Sequence, residues 1–404
     1  MELTLDRARE ILLQVARPMP KEYVPLEQCR RRVLAETITA DIDFPPFNRS
    51  PLDGYAVIAE TVRQATLRRP VILRQTGNIS AGMVADGPLT EGTACRIMTG
   101  APLPLGATGV VRLEDTRVLG DLVYVLDGRG AEKNLCLRGE EIVAGEAVME
   151  AGAVINAGAM GMLALLGKTH PLVFSRPRVV VIATGSEILP VDAPLTPGKI
   201  RNSNSYMLNG QVYDAGGQVV RMSSAHDNVD EIADVMKIAP ECDLVITIGG
   251  ASVGDYDLIG QVYKAMSVSP LFCRVRMKPG MHVLAGVKDG RLYLGLSGNP
   301  AAAAISFENL ARPVLMKMSG RQQCYRPRVQ AVLAAPFNKT TDAIRFVWAR
   351  CWQKQKEIYV EPLKHSSSGM LRAAIVANSL IVIPENSPPL PVGTPVEAIL
   401  LMEP

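Results

Sequence analysis

Three glycine-containing loops in the middle of the chain have the composition of anion-binding loops. Each follows a short apolar run typical of a buried parallel strand, and the last opens a run that predicts a helix. Glycines let backbone N–H groups approach an anion closely, and the positive end of a helix dipole adds to the attraction. One such loop alone is explained by ordinary turn chemistry, but three at one edge of a sheet predict an anion site. The loops are Thr184-Gly185-Ser186-Glu187; Gly249 to Asp257, with Gly250, Ser252 and Gly254; and Leu296 to Pro300, with Ser297, Gly298 and Asn299.

Acidic residues fall on or near the same strand ends: Glu187, Asp227, Asp255 and Asp257. Carboxylates beside an anion site repel the ligand unless a cation lies between them. Mg²⁺ is commonly bound by one or two carboxylates together with substrate phosphates, which resolves the conflict. For Asp227 a second interpretation stays open, because an Asp at this place could only cap the helix that follows.

Three more residues stand in segments that could carry chemistry. Lys278, in Arg276-Met-Lys-Pro-Gly280, is either a phosphate counter-ion or a solvated lysine in a hairpin between two strands. Asp53 lies in a segment dense in turn-forming residues, and Thr99 lies in a Gly/Pro-rich loop. Such specific loops are often functional, although ordinary turns have a similar composition.

The elements that must position these residues change character along the chain. Strand and helix patterns alternate from Arg176 to Met318, which predicts a doubly wound, mostly parallel α/β domain. From Val24 to about Val148 the sequence predicts short strands interrupted by Gly and Pro, and beyond Gly320 strands are predicted again. We therefore expect a multi-domain α/β plus β protein with a β-rich second domain and a C-terminal β domain. Helices are predicted over 4–16, with Thr4 as N-cap, and over 155–166, the latter buried and capped by Gly167.

Composition excludes several classes of protein. A formal charge of +3 over 404 residues gives no strong field and argues neither for nor against nucleic acid. The basic clusters are too short for a nucleic-acid footprint, and no nucleic-acid partner is expected. No apolar run reaches the roughly 18 residues of a membrane span, and the amphipathic N-terminus lacks the apolar core of a signal peptide. Seven scattered cysteines indicate reduced thiols rather than a disulfide frame or a zinc site. We expect a cytoplasmic protein.

Ordered motifs along the chain resemble those of the molybdopterin molybdenumtransferase family, of the MoeA and gephyrin E-domain type. The resemblance implies an elongated four-domain protomer with a MogA-like central domain. It also implies a homodimer whose cleft lies between the α/β domain of one subunit and the β-rich domain of the other. The motifs are PPFNRSPLDGYAV, RIMTGAPLP, VVRLEDT, RGEEI, TGSE, GKIRNSNSYML, DLVITIGGASVGDYD, MKPG, LSGNPAAA and ANSLIVIP.

The resemblance also implies a reaction and the residues that carry it. Adenylylated molybdopterin and molybdate are the expected substrates, Mg²⁺ the cofactor, and Mo-molybdopterin and AMP the products; the molybdopterin adenylyltransferase is a candidate partner. Matched by position, Glu187 and Asp257 are the expected metal ligands. The other residues that match functional positions are Asp53, Thr99, Asp227, Ser252 and Lys278.

The same resemblance implies domain boundaries. Residues 1–26, 45–52 and 139–175 would form domain I, and 27–44 with 53–138 the β-rich domain II. Residues 176–318 would form the molybdopterin-binding domain III, and 319–404 domain IV.

Departures from the family pattern leave an alternative open. Met281 stands where the family usually has a second lysine, and Trp348 where it usually has an arginine. Losing two cations would weaken an oxyanion site, unless Arg49 or Ser297 compensates. The alternative is therefore a diverged paralogue that binds molybdopterin or a partner protein without efficient metal insertion. Tungstate, similar in size and charge to molybdate, is a further alternative.

Overall fold

The computed structural model describes residues 2–239, 241–250, 258–364, 367 and 369–401. The chain divides into two compact units. The first contains residues 1–36, 152–160 and 169–404, and the second contains residues 37–151 and 161–168.

A six-stranded mixed sheet forms the centre of the first unit. The first four strands in spatial order are mutually parallel, and the last two are joined in antiparallel pairs. In spatial order the strands are Gln218–Ala225, Arg178–Thr184, Leu244–Ile248, Arg291–Leu296, Leu284–Lys288 and Ser269–Phe272.

Apolar side chains of this sheet are buried on both faces. Val179 and Val181 belong to one hydrophobic cluster, whereas Val180 and Ile182 belong to another. Because successive strand residues point to opposite faces, both faces are covered by other elements. The predicted doubly wound α/β domain is confirmed. Its helices are Asn204–Asp214, Val229–Lys237, Leu258–Ala265, Pro300–Ser306 and Arg312–Met318, the last two joined by a π-helical segment, Phe307–Ala311.

The C-terminal strands of this unit close into a barrel. Strand Ile344–Lys354 pairs with Glu357–Pro362 on one side and with Ser379–Ile383 on the other. Strands Arg328–Leu333 and Pro395–Leu400 complete the ring between those two. The predicted C-terminal β domain is thus confirmed. Strand Met277–Lys278 adds to its edge, and a short helix, Arg372–Val376, follows along the chain.

The first unit also contains the N-terminal helix, Leu5–Val15. Thr4 caps it as predicted, since its hydroxyl accepts a hydrogen bond from the Arg7 amide at 3.3 Å. Leu5, Ala8 and Leu12 pack into the larger core cluster. Short strand pairings in this unit join Glu2–Leu3 with Arg274–Val275, Lys21–Tyr23 with Leu172–Phe174, and Ile188–Leu189 with Ile200–Arg201. The unit also contains the 3-10 turn Leu26–Gln28.

The second unit is built on its own six-stranded, mostly antiparallel sheet, as predicted for the β-rich domain. Its core contains Tyr55, Val57, Val111 and Val123. The strands in spatial order are Gly109–Arg112, Gly54–Val57, Thr93–Ile97, Val71–Ile79, Leu122–Val125 and Thr116–Leu119. Other elements of this unit are Ile38–Thr39 paired with Ala147–Met149, the helix Ala59–Val62, and the 3-10 turns Leu113–Asp115 and Ala131–Lys133.

The helix predicted over 155–166 spans Ala157–Leu165, and Gly167 follows with φ of 66°. The prediction that it is buried was wrong, because of its residues only Leu163 is buried. A helix that is apolar all round is normally buried, but most residues of this helix are not buried. Among the described residues, no helix has both the length and the apolar character needed to span a membrane.

Candidate functional site

The three glycine-containing loops of the α/β domain line one cleft with a volume of about 650 Å³. Backbone contacts hold the strand ends together. The Gly185 amide donates to the carbonyl of Ala225 at 3.2 Å, and the Gly249 amide donates to that of Leu296 at 3.0 Å. The prediction that these loops meet at one sheet edge is therefore confirmed for their described parts. The predicted residues found in the lining are Thr184, Gly185, Glu187, Asp227, Gly249, Gly250, Ser297, Gly298, Asn299 and Pro300.

The helix that begins at Pro300 points its N-terminus at this cleft. Asn299 holds the N-cap position, with φ of −69° and ψ of 125°, and Pro300 is the first helical residue. Both predictions are confirmed in position. The hydroxyl of Ser297 accepts a hydrogen bond from the Asn299 amide at 3.3 Å, which fixes the turn that leads into the helix.

Two exposed carboxylates, Glu187 and Asp227, stand at the described part of the cleft. Asp227 Oδ2 accepts a hydrogen bond from the Ser186 amide at 3.3 Å, so Asp227 connects to the first glycine loop. The helix Val229–Lys237 is capped instead by Asn228, whose Oδ1 accepts from the Glu231 amide at 3.0 Å. The interpretation of Asp227 as only a helix cap is therefore wrong, and its carboxylate stays available to a ligand.

The carboxylate of Glu187 lies against the backbone of Gly185. A Cβ atom at Gly185 would come within 2.6 Å of Glu187 Oε2, so a larger residue there would displace this carboxylate. Lys199 Nζ donates to the Ser186 carbonyl at 2.6 Å, and the Ile200 amide donates to that of Glu187 at 2.9 Å. These contacts tie the first loop to the short strand Ile200–Arg201, whose Arg201 is a cation of the lining.

Polar residues that sequence reasoning missed complete the lining. Asn204 Nδ2 donates to the Gly298 carbonyl at 2.7 Å, connecting the helix Asn204–Asp214 to the last glycine loop. The Oδ1 of Asn204 and the Nδ1 of His282 are buried and have no hydrogen-bond partner within the described part of the chain. Buried polar atoms are normally satisfied, so both are suited to a ligand in the cleft. Asn204 lies inside the GKIRNSNSYML motif, whereas no sequence signal marked His282.

Part of the second glycine loop cannot be compared with the predictions. Ser252, Gly254, Asp255 and Asp257 lie outside the described residues.

Lys278 is not a hairpin lysine. It belongs to strand Met277–Lys278, which pairs in parallel with the barrel strand that begins at Ile344. Its Nζ contacts Asp342 Oδ1 at 2.6 Å, and Arg345 is its register partner. The hydrogen bond from Lys278, helped by the charge of Arg345, lowers the pKa of Asp342. Lys278 thus contacts an exposed carboxylate, on which Arg345 acts only through its charge. Lys278 is not among the residues that line the described cleft.

The two departures from the family pattern differ in their surroundings. Met281 is half-buried, and its sulfur lies 2.8 Å from Nη2 of Arg274. Trp348 is only 6% exposed and belongs to the core cluster that also contains Phe346 and Leu380. The expectation that Trp348 replaces a cation facing an oxyanion was therefore wrong, because its side chain packs in the core.

Asp53 and Thr99 form a pair in the second unit. The amide and the hydroxyl of Thr99 each donate to Asp53 Oδ1 at 2.8 Å. Gly54 pairs with Ile97 in the sheet, which brings the two loops to the same end of neighbouring strands. The hydrogen bonds from Thr99, and to a smaller extent the charge of Arg96, lower the pKa of Asp53.

Arg49, considered as a compensating cation, lies over the Phe44 ring at 5.7 Å.

The donor set of the cleft fits Mg²⁺. No group of three or more His, Cys, Asp or Glu side chains within the described ranges could hold a metal by itself. Mg²⁺ retains water and commonly uses one or two carboxylates with substrate phosphates. Asp227 and Glu187 provide such a pair beside backbone amides that suit phosphate.

Comparisons with known proteins agree with this geometry. Three family models match the chain in order: the MoeA N-terminal region (domain I and II) over residues 3–167, a probable molybdopterin binding domain over 180–317, and the MoeA C-terminal region (domain IV) over 330–401. The chain belongs to the molybdopterin molybdenumtransferase family. This is an enzyme family of molybdenum cofactor biosynthesis.

Individual relatives extend over nearly the whole chain. A molybdopterin molybdenumtransferase from Staphylococcus epidermidis is 37% identical over 378 residues, which is 93% of this chain and 90% of that protein. Its counterpart from Staphylococcus aureus is 36% identical over 383 residues, covering 95% and 91%. The solved structure of the molybdopterin biosynthesis moeA protein from Pyrococcus horikoshii superposes with a TM-score of 0.83 at 29% identity, covering 99% of this chain and 100% of that one. The multi-domain fold is thus shared over its full length.

Proposed function

We propose that this enzyme cleaves adenylylated molybdopterin in the presence of Mg²⁺ and molybdate, giving Mo-molybdopterin and AMP. One observation carries the proposal: three glycine-rich strand ends, a helix N-terminus and two carboxylates meet in one cleft of a chain from this family. The backbone amides and the helix dipole would bind the phosphates. Without a cation, Asp227 and Glu187 would repel them.

Roles follow for the residues of the cleft. Asp227 and Glu187 would hold Mg²⁺, with Asp257 as a further proposed ligand. Mg²⁺ would supply charge neutralisation at the phosphoanhydride. Asn204 and His282 would provide the buried Oδ1 and Nδ1 atoms to the nucleotide or the pterin. Ser252, Ser186 and the amides of Gly250 and Gly298 would bind anionic oxygens.

For molybdate we propose the cluster formed by Lys278 and Arg345. Lys278 and Arg345 are register partners on neighbouring strands, and Asp342, which contacts Lys278, would have to release it when an oxyanion binds. Arg345 would compensate in part for the cation missing at Met281. Asp53 and Thr99 would act as a hydrogen-bonded pair on the same substrate. The proposal includes a four-domain homodimeric protein in the cytoplasm, with the molybdopterin adenylyltransferase as its supplier.

The test is AMP release from adenylylated molybdopterin, measured with graded Mg²⁺ and molybdate. Asp227→Asn and Glu187→Gln should each lower the rate by at least about tenfold, because one charged contact typically contributes about 1.5–3 kcal/mol. Asp192→Asn removes another exposed carboxylate, outside the cleft lining, and should leave the rate unchanged.

The same assay separates metal insertion from mere binding. Saturable stimulation by molybdate that tightens in Met281→Lys would support a weakened but working oxyanion site. Binding of molybdopterin without any AMP release would favour the diverged paralogue, a carrier or scaffold. Parallel titration with tungstate tests whether that metal is the substrate instead.

A further inference from the structure

Two residues that line the cleft carry buried polar atoms that have no hydrogen-bond partner among the described residues. One is Asn204 Oδ1, at the start of the helix Asn204–Asp214. The other is His282 Nδ1, on the segment that follows strand Met277–Lys278. Atoms screened from water in this way are satisfied when a ligand brings the missing partner. The chemistry of the two atoms therefore restricts which part of a ligand lies against them.

The side-chain amide of Asn204 is fixed in one orientation. Its Nδ2 donates to the Gly298 carbonyl at 2.7 Å, and the reversed amide would place two acceptor oxygens at that distance. Oδ1 is therefore an acceptor, and it needs an N–H or O–H group from the ligand. The nearby amide of Asn202 has no such need, because its Oδ1 already accepts from the Ser205 amide at 3.1 Å.

Phosphates and molybdate cannot satisfy the Oδ1 of Asn204. The phosphates of a phosphoanhydride diester are ionised at neutral pH and carry no hydrogen, and molybdate is present as a fully deprotonated dianion. Such anions are bound by donors, as the backbone amides of the glycine loops are. An acceptor next to the last glycine loop instead repels them. Asn204 thus serves a part of the substrate that is neither phosphate nor metal oxyanion.

Apolar side chains of the same cleft favour a flat ring as that part. Ile188 and Ile200 are register partners in their short parallel pair, and both line the cleft. Ile200 is 55% exposed, and apolar side chains of this kind cover the ring faces of small-molecule ligands. A sugar hydroxyl would satisfy Asn204 but would gain nothing from the two isoleucines. His282 Nδ1 donates or accepts according to its tautomer, so it suits the nitrogen-rich edge of a heterocycle.

We propose that Asn204, His282, Ile188 and Ile200 form a subsite for an amino-substituted nitrogen heterocycle, whose exocyclic amine donates to Asn204 Oδ1. This inference rests on the proposed function, because the heterocycle would be the adenine or the pterin of the same substrate. Both rings carry such an amine beside ring nitrogens. Since Asn204 Nδ2 holds the carbonyl of Gly298, the ring would lie next to the phosphates. Asn204 is then a specificity-determining residue.

The experiment compares four ligands that share one phosphate group: methyl phosphate, ribose 5-phosphate, AMP and 6-hydroxymethylpterin phosphate. Binding to the full-length protein is measured by calorimetric titration in mildly alkaline buffer, where each phosphate is a dianion without hydrogen. Asn204→Leu replaces the amide by an apolar group of similar size. Relative to methyl phosphate, it should weaken the ligand whose ring occupies the subsite by at least about fivefold and leave ribose 5-phosphate unchanged. Any loss of support for Gly298 affects all four ligands and cancels in this ratio.

The matched control is Gln211→Met on the same helix. Gln211 Nε2 donates to the Ala304 carbonyl at 3.2 Å, and its Oε1 is also buried and unpartnered within the described ranges. Gln211 does not line the cleft, so this variant should leave all four affinities unchanged. Thermal unfolding near the wild-type temperature shows that Asn204→Leu is folded.

A comparison of ligands needs no variant. Wild type should bind AMP more tightly than purine riboside 5′-phosphate, which lacks the amine, if adenine occupies the subsite. If the pterin occupies it, the same preference should appear for the pterin phosphate over its 2-desamino analogue. Removal of the amine without effect in both pairs would overturn the proposal.

The four affinities also identify the ring. A loss confined to AMP assigns the subsite to adenine, a loss confined to the pterin phosphate assigns it to the pterin, and a loss in both shows that it accepts either ring. The proposal is overturned if wild type binds none of the four ligands or if all four change by the same factor in Asn204→Leu. It is also overturned if ribose 5-phosphate is weakened as much as AMP, because the donor is then a sugar hydroxyl.

Failure of the subsite and failure of the proposed function give different results. An enzyme that releases AMP from adenylylated molybdopterin without this discrimination would refute the subsite and leave the reaction standing. A protein that discriminates between the ligands through Asn204 but releases no AMP would refute the reaction alone.

Discussion

Gly249→Ala should disturb the packing of the second glycine loop against Thr184 in the cleft. Gly210→Ala makes the same chemical change on the helix Asn204–Asp214 and should not disturb the cleft. Gly249 has φ of 101°, and a Cβ atom there would overlap the Thr184 carbonyl oxygen and lie 2.9 Å from the Thr184 hydroxyl. At Gly210 a Cβ atom would meet nothing within 4 Å. The two substitutions therefore add the same methyl group to two opposite environments.

The magnitudes follow from these environments. A non-glycine residue held in this backbone region costs about 1–3 kcal/mol, and forcing a methyl group against fixed backbone costs about 1–3 kcal/mol more. The reduced entropy of the unfolded chain returns about 0.4–1 kcal/mol. We expect Gly249→Ala to lower the free energy of unfolding by about 3 kcal/mol and Tm by about 5 °C. Gly210→Ala should gain about 0.5–1 kcal/mol, because Ala favours helix.

Differential scanning calorimetry measures both shifts, and AMP release at a temperature where both variants are folded measures the consequence for activity. Thr184 and Gly249 both line the cleft, so a displacement of about 1 Å should reduce the rate by about a hundredfold. The control should keep the wild-type rate. Equal melting temperatures for the two variants would refute the described packing of the second loop on the first.

Three further predictions concern other parts of the chain. Thr99→Val should raise the pKa of Asp53 toward its usual value, because the hydroxyl hydrogen bond that favours the carboxylate is lost. A ¹³C titration measures this pKa, and Thr99→Ser, which keeps the hydroxyl, should leave it at the wild-type value. An Asp53 pKa that is unchanged in Thr99→Val would contradict the pairing. As pH falls through the lowered pKa of Asp53, wild type should lose the same contact. Trp348→Arg should destabilise the barrel by about 3–5 kcal/mol, since it buries an unpaired charge, whereas Met281→Lys should change the stability by less than about 1 kcal/mol. Denaturant unfolding measures both changes, and equal midpoints for the two variants would show that Trp348 is not in the core. Asp342→Asn should lower the molybdate concentration needed for half-maximal AMP release by up to about tenfold, because Lys278 loses a competing carboxylate; an unchanged or weaker molybdate dependence would place the oxyanion elsewhere.

The strand ends were predictable from the sequence because their signals are local. An apolar run followed by Gly marks the end of each strand, and parallel strands bring their carboxyl ends to one edge. Thr4 and Asn299 likewise stand next to the helices that they begin. The sequence left Asp227 either as a helix cap or as a ligand-binding carboxylate. Asn228 follows it and can cap the same helix, and only the geometry shows which of the two residues does so.

Contacts between distant segments were not predictable. Lys278 meets Asp342 across 64 residues because a two-residue strand joins the edge of the barrel. No local pattern distinguishes that strand from a hairpin. Trp348 was misplaced for the same reason, since alternation along a strand gives the face of a residue only when the register is known.

The central claim is that Mg²⁺ lies between the carboxylates of the cleft and the phosphates of the substrate. Equilibrium binding of adenylylated molybdopterin without molybdate, measured with and without Mg²⁺ for wild type and Asp227→Asn, tests it most directly. Mg²⁺ should tighten binding to wild type by at least about tenfold. The variant should bind more weakly than wild type with Mg²⁺ but more tightly without it, because the repelling carboxylate is gone. A wild type indifferent to Mg²⁺, or a variant with undiminished Mg²⁺ dependence, would contradict the account.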